Sequence, residues 1–244
     1  MKNFLKKNYP HFFSILKSVK YFLLNFFDKV YCFLCKFFLF RKIDYFFNSE
    51  LKKKIAQFKY LDKNSVFLDI GANLGKYSQF VDDFCGCKII CYEPHPKAYK
   101  YLIEKFRSKK NITIFNKAVA NKTGHQNLYL HSYENEDSDA GKFSQSASLY
   151  SNKSNVSASN FVRVETVDIK EILDDFNYID CIKINAEGVE FLILPHLITN
   201  HDKIKKVFCS FHHEKISNLD SVYLAIKKSL VEKGLLRGWF NEML

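Results

Sequence analysis

Short apolar runs alternate with helix-like stretches from residue 65 onward, and this alternation limits the folds that the chain can adopt. The runs are rich in Ile, Val, Phe and Cys, as expected for strands covered on both faces. The expected strands of the main sheet are Ser65–Ile70, Lys88–Tyr92, Ile112–Asn116, Cys181–Asn185 and Lys206–Phe211. The expected helices are Lys76–Phe84, Lys97–Lys105, Asp168–Asp175, Val189–Leu197 and Leu219–Lys233. This order predicts an α/β fold with a mostly parallel, doubly wound sheet and right-handed crossovers.

One segment departs from the alternation. Residues 121–160 are polar and rich in Ser, Asn, Asp and Glu, with a short strand expected at Asn127–His131. A further strand is expected at Phe161–Val167. We interpret this region as a hairpin-like insertion with a flexible loop.

Positive charge is concentrated near the N-terminus. The chain has 244 residues and a formal net charge of +11, and residues 1–60 carry 13 Lys or Arg against 3 Asp or Glu. The other 184 residues carry 24 basic and 23 acidic side chains, so they are nearly neutral. We therefore predict a basic, aromatic, helical arm at residues 1–60 and a globular domain at residues 61–244.

Two interpretations of the arm remain open. Charged residues interrupt its apolar run, so neither a transmembrane helix nor a signal peptide is expected. A narrow polar stripe on a mainly aromatic helix suits a membrane surface, where residues 1–50 would hold the protein peripherally on the inner membrane. Alternatively, the helix packs on the domain or on a second subunit, as in a homodimer. The lysines are interleaved with Phe and Leu, so nucleic acid is not an expected partner.

Cysteine usage indicates the compartment. The chain has seven cysteines, an odd number without a paired framework, which is typical of a reducing, cytoplasmic environment. The CxxC at Cys32 and Cys35 has no second pair of ligands nearby, and a strand would spread the ligands that follow Cys85 and Cys87. We therefore predict buried free thiols and no metal site.

The segment Val66–Phe80, VFLDIGANLGKYSQF, carries the first binding motif. An apolar strand leads through Asp69 into a turn with Gly71 and Gly75, and a helix follows. Because ligands bind beyond the carboxyl ends of such strands, we expect the glycines to let the backbone approach a ligand closely. The GxGxxG and P-loop patterns are both absent. A carboxylate at Asp69 suits an ammonium group and the helix N-terminus suits a carboxylate, which together indicate an amino acid.

The second strand ends in CYEP, with Glu93 at its tip. An acid in this place can accept two hydrogen bonds from a ribose diol. An amino acid combined with a nucleoside indicates S-adenosylmethionine as the cofactor. A nicotinamide-dependent enzyme is disfavoured because the GxGxxG pattern is missing.

Four segments resemble the FkbM-type methyltransferases in order and spacing, over roughly residues 60–235; they read DIGANLGKYS, YEPHPKAYKYL, KAVANKTG and IKINAEGVEFLIL. The resemblance implies a Rossmann-like class I methyltransferase fold and O-methylation, mainly of sugars and secondary metabolites. It implies that Glu93 holds the ribose and that Ala118 lies near the adenine. The residues implied around the methionine part are Asp69, Gly71, Asn73, Gly75, Tyr77 and Ser78.

The candidate catalytic residues, Asn185, Glu187 and His212, follow the fourth and fifth strands of the main sheet. A hydroxyl acceptor needs a base, or a charge that lowers its pKa. The family usually shows Asp in place of Asn185, and an amide cannot act as a carboxylate base. Glu187 is the remaining acid. His212 and His213 would point to opposite faces, and one of them could accept a proton at neutral pH.

These residues predict a methyltransferase that uses S-adenosylmethionine to O-methylate a sugar hydroxyl in a glycan or glycolipid precursor. The alternative is a non-catalytic or altered-activity member of the fold that binds S-adenosylmethionine or another nucleotide. The loop Gln145–Leu149 resembles a serine-containing segment of the family. It either closes over the cofactor or is a solvated polar loop.

Overall fold

The computed structural model describes residues 57–135, 137–139, 144–236 and 239–242. Most of the predicted arm at residues 1–60 lies outside this part of the chain, so its helical character stays a prediction. Each helix in the described part is too short or too polar to cross a membrane.

Strands and helices alternate along the described chain much as expected. The strands are β1 (Val66–Ile70), β2 (Lys88–Tyr92), β3 (Ile112–Phe115), β4 (Lys117–Ala120), β5 (Gly124–His131), β6 (Val156–Asp168), β7 (Cys181–Ile184), β8 (Val207–Cys209) and β9 (Phe240–Glu242). The α-helices are α1 (Lys76–Cys85), α2 (Pro96–Lys105), α3 (Ile169–Asp174), α4 (Glu190–Thr199) and α5 (Asp220–Glu232). The predicted helix ends agree with these bounds within two residues.

The main sheet has the strand order β3-β2-β1-β7-β8-β9, and each neighbouring pair is parallel. The chain moves outward in one direction from β1 to β3 and in the other direction from β7 to β9. This reversal confirms the predicted α/β, doubly wound sheet, with its switch point between β1 and β7. A ligand site is therefore expected at the carboxyl ends of these two strands and of β2.

The two faces of the main sheet differ in what their side chains contact. Leu68, Ile70 and Ile184 belong to the core that includes the buried residues of α3, α4 and α5. Asp69 and Lys183 alternate with them and therefore point to the opposite face, where Asp69 bonds Ser78 of α1. A buried charged pair thus lies beneath the helix that follows β1.

A second sheet with the order β4-β6-β5 contains the insertion. β5 and β6 are antiparallel, which confirms the predicted hairpin, and β4 is parallel to β6. β6 begins at Val156, five residues before the expected strand. The sequence did not predict β4, because Lys117–Ala120 follows β3 after a single residue and has no turn signal of its own. This sheet carries the polar segment that reaches the site.

Candidate active site

The turn between β1 and α1 contains the two glycines, both with positive φ, +73° at Gly71 and +66° at Gly75. A β-carbon on Gly71 would lie 2.1 Å from the Asn185 carbonyl oxygen, and one on Gly75 would lie 2.6 Å from Cε2 of Phe106. Both positions require glycine because other parts of the protein pack closely against them. The sequence had instead predicted that a ligand approaches the backbone closely here. The same contact brings the end of β7 against the turn.

Glu93 meets this turn from the neighbouring strand. Its side chain is buried, and its carboxylate accepts hydrogen bonds from the Asn73 N–H at 2.6 Å and from the His95 N–H at 2.8 Å. Burial raises the pKa of Glu93, and the two backbone hydrogen bonds oppose that rise. The structure thus brings Glu93 and the glycine turn together at one edge of the sheet, as the sequence predicted. Ribose binding by Glu93 stays a prediction.

Asp69 lies below the turn in a buried network. One carboxylate oxygen accepts a hydrogen bond from Ser78 Oγ at 2.6 Å and the other from Lys183 Nζ at 2.8 Å. Lys183 Nζ also donates to the Gly71 carbonyl oxygen at 2.7 Å. Both carboxylate oxygens are therefore bonded within the protein, and the contact of Asp69 with a ligand ammonium stays a prediction. Ser78 also lies inside this network rather than at its surface.

Three further residues predicted to bind the cofactor lie in different surroundings. Asn73 has φ of +49°, and its side-chain amide donates to Ser144 Oγ at 2.9 Å. The ring of Tyr77 has its centroid 5.4 Å from Lys183 Nζ. Ala118 lies in β4 and is buried in a cluster with Leu128 and Val164. Its methyl group therefore packs within the second sheet, and its contact with adenine stays a prediction.

The N-terminus of α1 is open in the sense that no side chain caps it. Gly75 is the N-cap residue and provides no side-chain acceptor, and the first turn contains no acid. The first amides of a helix have no partner within the helix, and the helix dipole favours a negative charge beside them. This helix end suits a ligand carboxylate.

A second cluster, formed by Glu187, His212, Glu190 and Lys153, lies at the ends of β7 and β8. Glu187 Oε1 is 3.3 Å from His212 Nε2, and Glu187 Oε2 is 2.9 Å from Lys153 Nζ. Glu190 Oε1 accepts from the His212 backbone N–H at 2.8 Å and lies 3.0 Å from its Nδ1. Two acids and two bases from three segments of the chain therefore form one network.

Glu187 and His212 keep opposite charges in this network. Burial disfavours the imidazolium, but the hydrogen bonds and charges of Glu187 and Glu190 outweigh it and raise the pKa of His212 to about 9. We therefore expect His212 to be protonated at neutral pH, where the sequence had suggested a neutral imidazole, and its catalytic role stays a prediction. Burial favours the neutral carboxyl of Glu187, but His212 and then Lys153 outweigh it, so its pKa is lowered. Glu187 is therefore an ionised carboxylate.

Asn185 follows β7 directly and connects the two clusters. Its backbone N–H donates to the Ile70 carbonyl oxygen at 3.0 Å, while its side chain is half-buried. That side chain makes no hydrogen bond to another residue within the described ranges. His213, next to His212, instead stacks on Tyr223 with ring centroids 3.9 Å apart.

The polar segment of the insertion reaches both clusters. Ser144 bonds Asn73 on the cofactor side, and Ser148 Oγ donates to the Glu187 carbonyl oxygen at 2.6 Å. Lys153 Nζ donates to the Ser146 carbonyl oxygen at 2.8 Å in addition to its ion pair with Glu187. The serine-containing loop thus lies against the strand ends. Its predicted closure over a cofactor stays a prediction.

Sequence reasoning missed Lys153, Lys183 and the link between Glu190 and His212. Lys183 carried a readable signal, because it is a charged residue within the otherwise apolar strand CIKI. Lys153 carried none, since it occurs in a polar loop where a lysine is ordinarily solvated. Within the described ranges, no group of three or more His, Cys, Asp or Glu side chains could hold a metal ion.

The methyltransferase FkbM domain matches residues 69–233 of the chain, more than half of its length. The chain belongs to this family. The match confirms the predicted family, the Rossmann-like methyltransferase fold and S-adenosylmethionine as the cofactor. No protein of curated function matches the chain.

Solved structures of other methyltransferases are weakly similar to this chain. Precorrin-6y C5,15-methyltransferase from Geobacter metallireducens is 14% identical with a TM-score of 0.41, and the alignment covers 80% of this chain and 74% of that one. P. horikoshii TYW2 in complex with MeSAdo is 20% identical over 30% of this chain and 29% of its own, with a TM-score of 0.26. An rRNA methylase from Streptococcus thermophilus is 12% identical over 30% and 45%, with a TM-score of 0.27. The aligned part of this chain thus covers less than half of the length of each of the last two proteins.

The residues at the strand ends fit S-adenosylmethionine. The open N-terminus of α1 suits the carboxylate of its amino-acid part, and the Glu93 carboxylate at the tip of β2 suits its ribose diol. Asp69 fits less directly, because it is buried and its two carboxylate oxygens already bond Ser78 and Lys183. The glycine turn connects these groups, so they can act on one ligand.

Proposed function

We propose that this methyltransferase O-methylates a hydroxyl group of a sugar in a glycan or glycolipid precursor. The observation that carries the proposal is the position of the Glu187 carboxylate, which lies two residues beyond Asn185 and is held between Lys153 and His212. Asn185 in turn contacts the glycine turn through its main chain. A base for the acceptor is therefore expected beside the cofactor.

The bound cofactor supplies an activated methyl group on a sulfonium, so positioning of the acceptor accounts for much of the rate. Glu187 accepts the hydrogen bond of the acceptor hydroxyl and takes its proton as the new oxygen–carbon bond forms. Lys153 and His212 hold Glu187 in place from two sides. His212 thus has a positioning role, rather than the role of a base.

The Asn185 amide and the Glu187 lone pairs that Lys153 and His212 do not use suit a polyhydroxylated acceptor. The Asn185 amide has both donor and acceptor atoms, and a carboxylate such as that of Glu187 has only acceptors. Together they can bond two neighbouring hydroxyl groups and so orient one of them. This chemistry supports a sugar as the acceptor.

Methyl transfer from isotopically labelled S-adenosylmethionine to sugar nucleotides, lipid-linked sugars and RNA tests the proposal. We expect labelled sugar, and we expect Glu187→Gln to lower kcat about 100-fold or more while cofactor affinity stays the same. Glu214→Gln, at an exposed position in the nearby turn, is the matched control. Label in RNA alone, or full activity of Glu187→Gln, would contradict the proposal.

The alternative is a member of the fold that binds S-adenosylmethionine or another nucleotide without the usual catalysis. Asn185 favours it, because an amide cannot take a proton as a carboxylate can. Calorimetric titration that gives cofactor binding, together with no transfer to any acceptor, supports this alternative. Methyl transfer that Asn185→Asp restores would then assign the loss to this position.

We also propose that residues 1–50 hold the protein on an anionic membrane surface. The support is the sequence, since residues 1–60 combine 13 Lys or Arg with 18 of the 40 aromatic residues. We expect sedimentation of the full chain with anionic vesicles, release by high salt, and loss of binding when residues 1–50 are removed. A stable dimer that ignores vesicles would instead favour packing of the arm on a second subunit.

A further inference from the structure

Lys183 lies in the middle of β7, where its neighbours Ile182 and Ile184 are fully buried. The lysine is 2% exposed and lies opposite Asp69 in the parallel register of β1 and β7. Its ammonium group contacts the Asp69 carboxylate, the Gly71 carbonyl oxygen and the face of the Tyr77 ring. All three partners belong to the segment that leads from β1 into α1.

The burial of a lysine in this apolar strand needs an explanation. Removing an ammonium group from water costs free energy that is recovered only through good charge and hydrogen-bond partners. An apolar residue in the same place, together with a neutral residue at position 69, would satisfy the packing of the sheet at lower cost. The ion pair with Asp69 therefore does not by itself explain why both charges are present.

The contacts beyond Asp69 give the reason. Nζ of Lys183 donates a hydrogen bond to the Gly71 carbonyl oxygen at 2.7 Å. Gly71 has a positive φ and packs closely against the main chain of Asn185. The same ammonium lies against the face of the Tyr77 ring, in the first turn of α1, whose N-terminus suits a ligand carboxylate. The lysine thus links the strand, the turn and the helix that form the cofactor site.

We infer that Lys183 is a positioning residue for S-adenosylmethionine. It fixes the Gly71 carbonyl and the start of α1, so that the amides of the turn keep their direction when the cofactor binds. It also balances the charge of Asp69, so the site presents no uncompensated carboxylate beneath the turn. This role concerns the donor side alone and is independent of the acceptor.

A comparison in the Asp69→Asn background separates this role from that of an ion pair. Asp69→Asn keeps Lys183 beside Gly71 and Tyr77 but without its counter-charge, whereas Asp69→Asn with Lys183→Met removes both charges. Denaturant unfolding of the two variants shows whether the lone buried ammonium disturbs the fold. We expect calorimetric titration to give S-adenosylmethionine binding roughly tenfold or more weaker in the double variant than in Asp69→Asn. Equal affinity of the two would overturn the inference.

Two controls keep the result interpretable. Lys205→Met removes a lysine that is paired with Asp180 near the opposite ends of the strands, and we expect unchanged cofactor affinity. Circular dichroism and denaturant unfolding without the cofactor report whether each variant is folded.

If Asp69→Asn does not fold, Lys183→Arg provides the test in the natural background. There a loss of affinity with the fold intact is expected, and full affinity with full stability would overturn the inference. Absence of binding by the natural chain would overturn the cofactor assignment instead.

Discussion

The backbone N–H of Asn73 lies 2.6 Å from the carboxylate of Glu93, so the turns after two neighbouring strands are joined by a charged hydrogen bond. Asn73 belongs to the turn after β1, and Glu93 follows β2. The hydrogen bond gives the buried Glu93 carboxyl group a partner. It also holds Asn73 in a left-handed backbone conformation, with φ of +49°. A change at either strand end is therefore expected to alter the shape of the cofactor site.

Replacing Glu93 tests the cofactor side. We expect Glu93→Ala to weaken S-adenosylmethionine binding by about 1–3 kcal/mol, because it removes hydrogen bonds of a buried carboxylate to the ligand and to the turn. Isothermal titration measures the change. Glu104→Ala, at an exposed position on α2, is the matched control and should bind normally. Unchanged affinity of Glu93→Ala would exclude Glu93 from the site.

Gly71 and Gly234 have similar φ angles but different surroundings, so replacing each by alanine distinguishes backbone strain from steric overlap. Gly71 has φ of +73° and a carbonyl oxygen in the place of its β-carbon, whereas Gly234 has φ of +68° and open space there. We expect Gly234→Ala to cost about 1–2 kcal/mol of unfolding free energy from strain alone. Gly71→Ala should cost clearly more and also abolish cofactor binding. Denaturant unfolding and titration measure both, and equal costs would contradict the close contact with Asn185.

The raised pKa of His212 predicts a pH-dependent stability. The imidazolium is stabilised in the folded state, so its contribution is complete below the unfolded pKa of 6.5 and is lost as the pH rises through about 9. Relative to His212→Gln, the natural chain should lose up to about 3 kcal/mol across this range. Urea unfolding at several pH values measures the loss. His125→Gln, an exposed histidine on β5, should follow the natural chain throughout.

Lys153 connects the insertion with Glu187, which predicts two effects of Lys153→Met. The pKa of Glu187 should rise, because one of the two cations that lower it has been removed. Amide exchange around Ser146 and Ser148 should become faster, because the bond from Lys153 to the Ser146 carbonyl is lost. Carboxyl NMR titration and hydrogen exchange measure these effects. Lys117→Met, which breaks an exposed pair with Glu165, should change neither.

The sequence was most informative where hydrophobic pattern alone decides the structure. The strands β1, β2 and β7 are covered on both faces, so apolar runs marked them closely. β9 was not predicted, because it consists of three residues whose pairing with β8 is a long-range contact. Short strands of this kind depend on tertiary contacts that no local pattern reports.

The sequence predicted where the candidate site lies, but it predicted only some of the side-chain contacts and charge states there. Gly71 and Glu93 come together because parallel strands place their carboxyl ends at one edge. The partners of Asp69 and His212 depend on Lys183 and Glu190, which reach them from other strands and helices. The charge state of His212 follows from these partners, so the sequence around it could not reveal that it is protonated.

The contact between Gly71 and the main chain of Asn185 has a consequence for attempts to change what this enzyme methylates. A backbone shift made at the tip of β7 to admit a different acceptor would press on the Gly71 turn, which we expect to hold the methyl donor, because a β-carbon at Gly71 would already lie 2.1 Å from the Asn185 carbonyl oxygen. Engineering of selectivity should therefore change side chains around the acceptor and leave the main chain at the end of β7 in place.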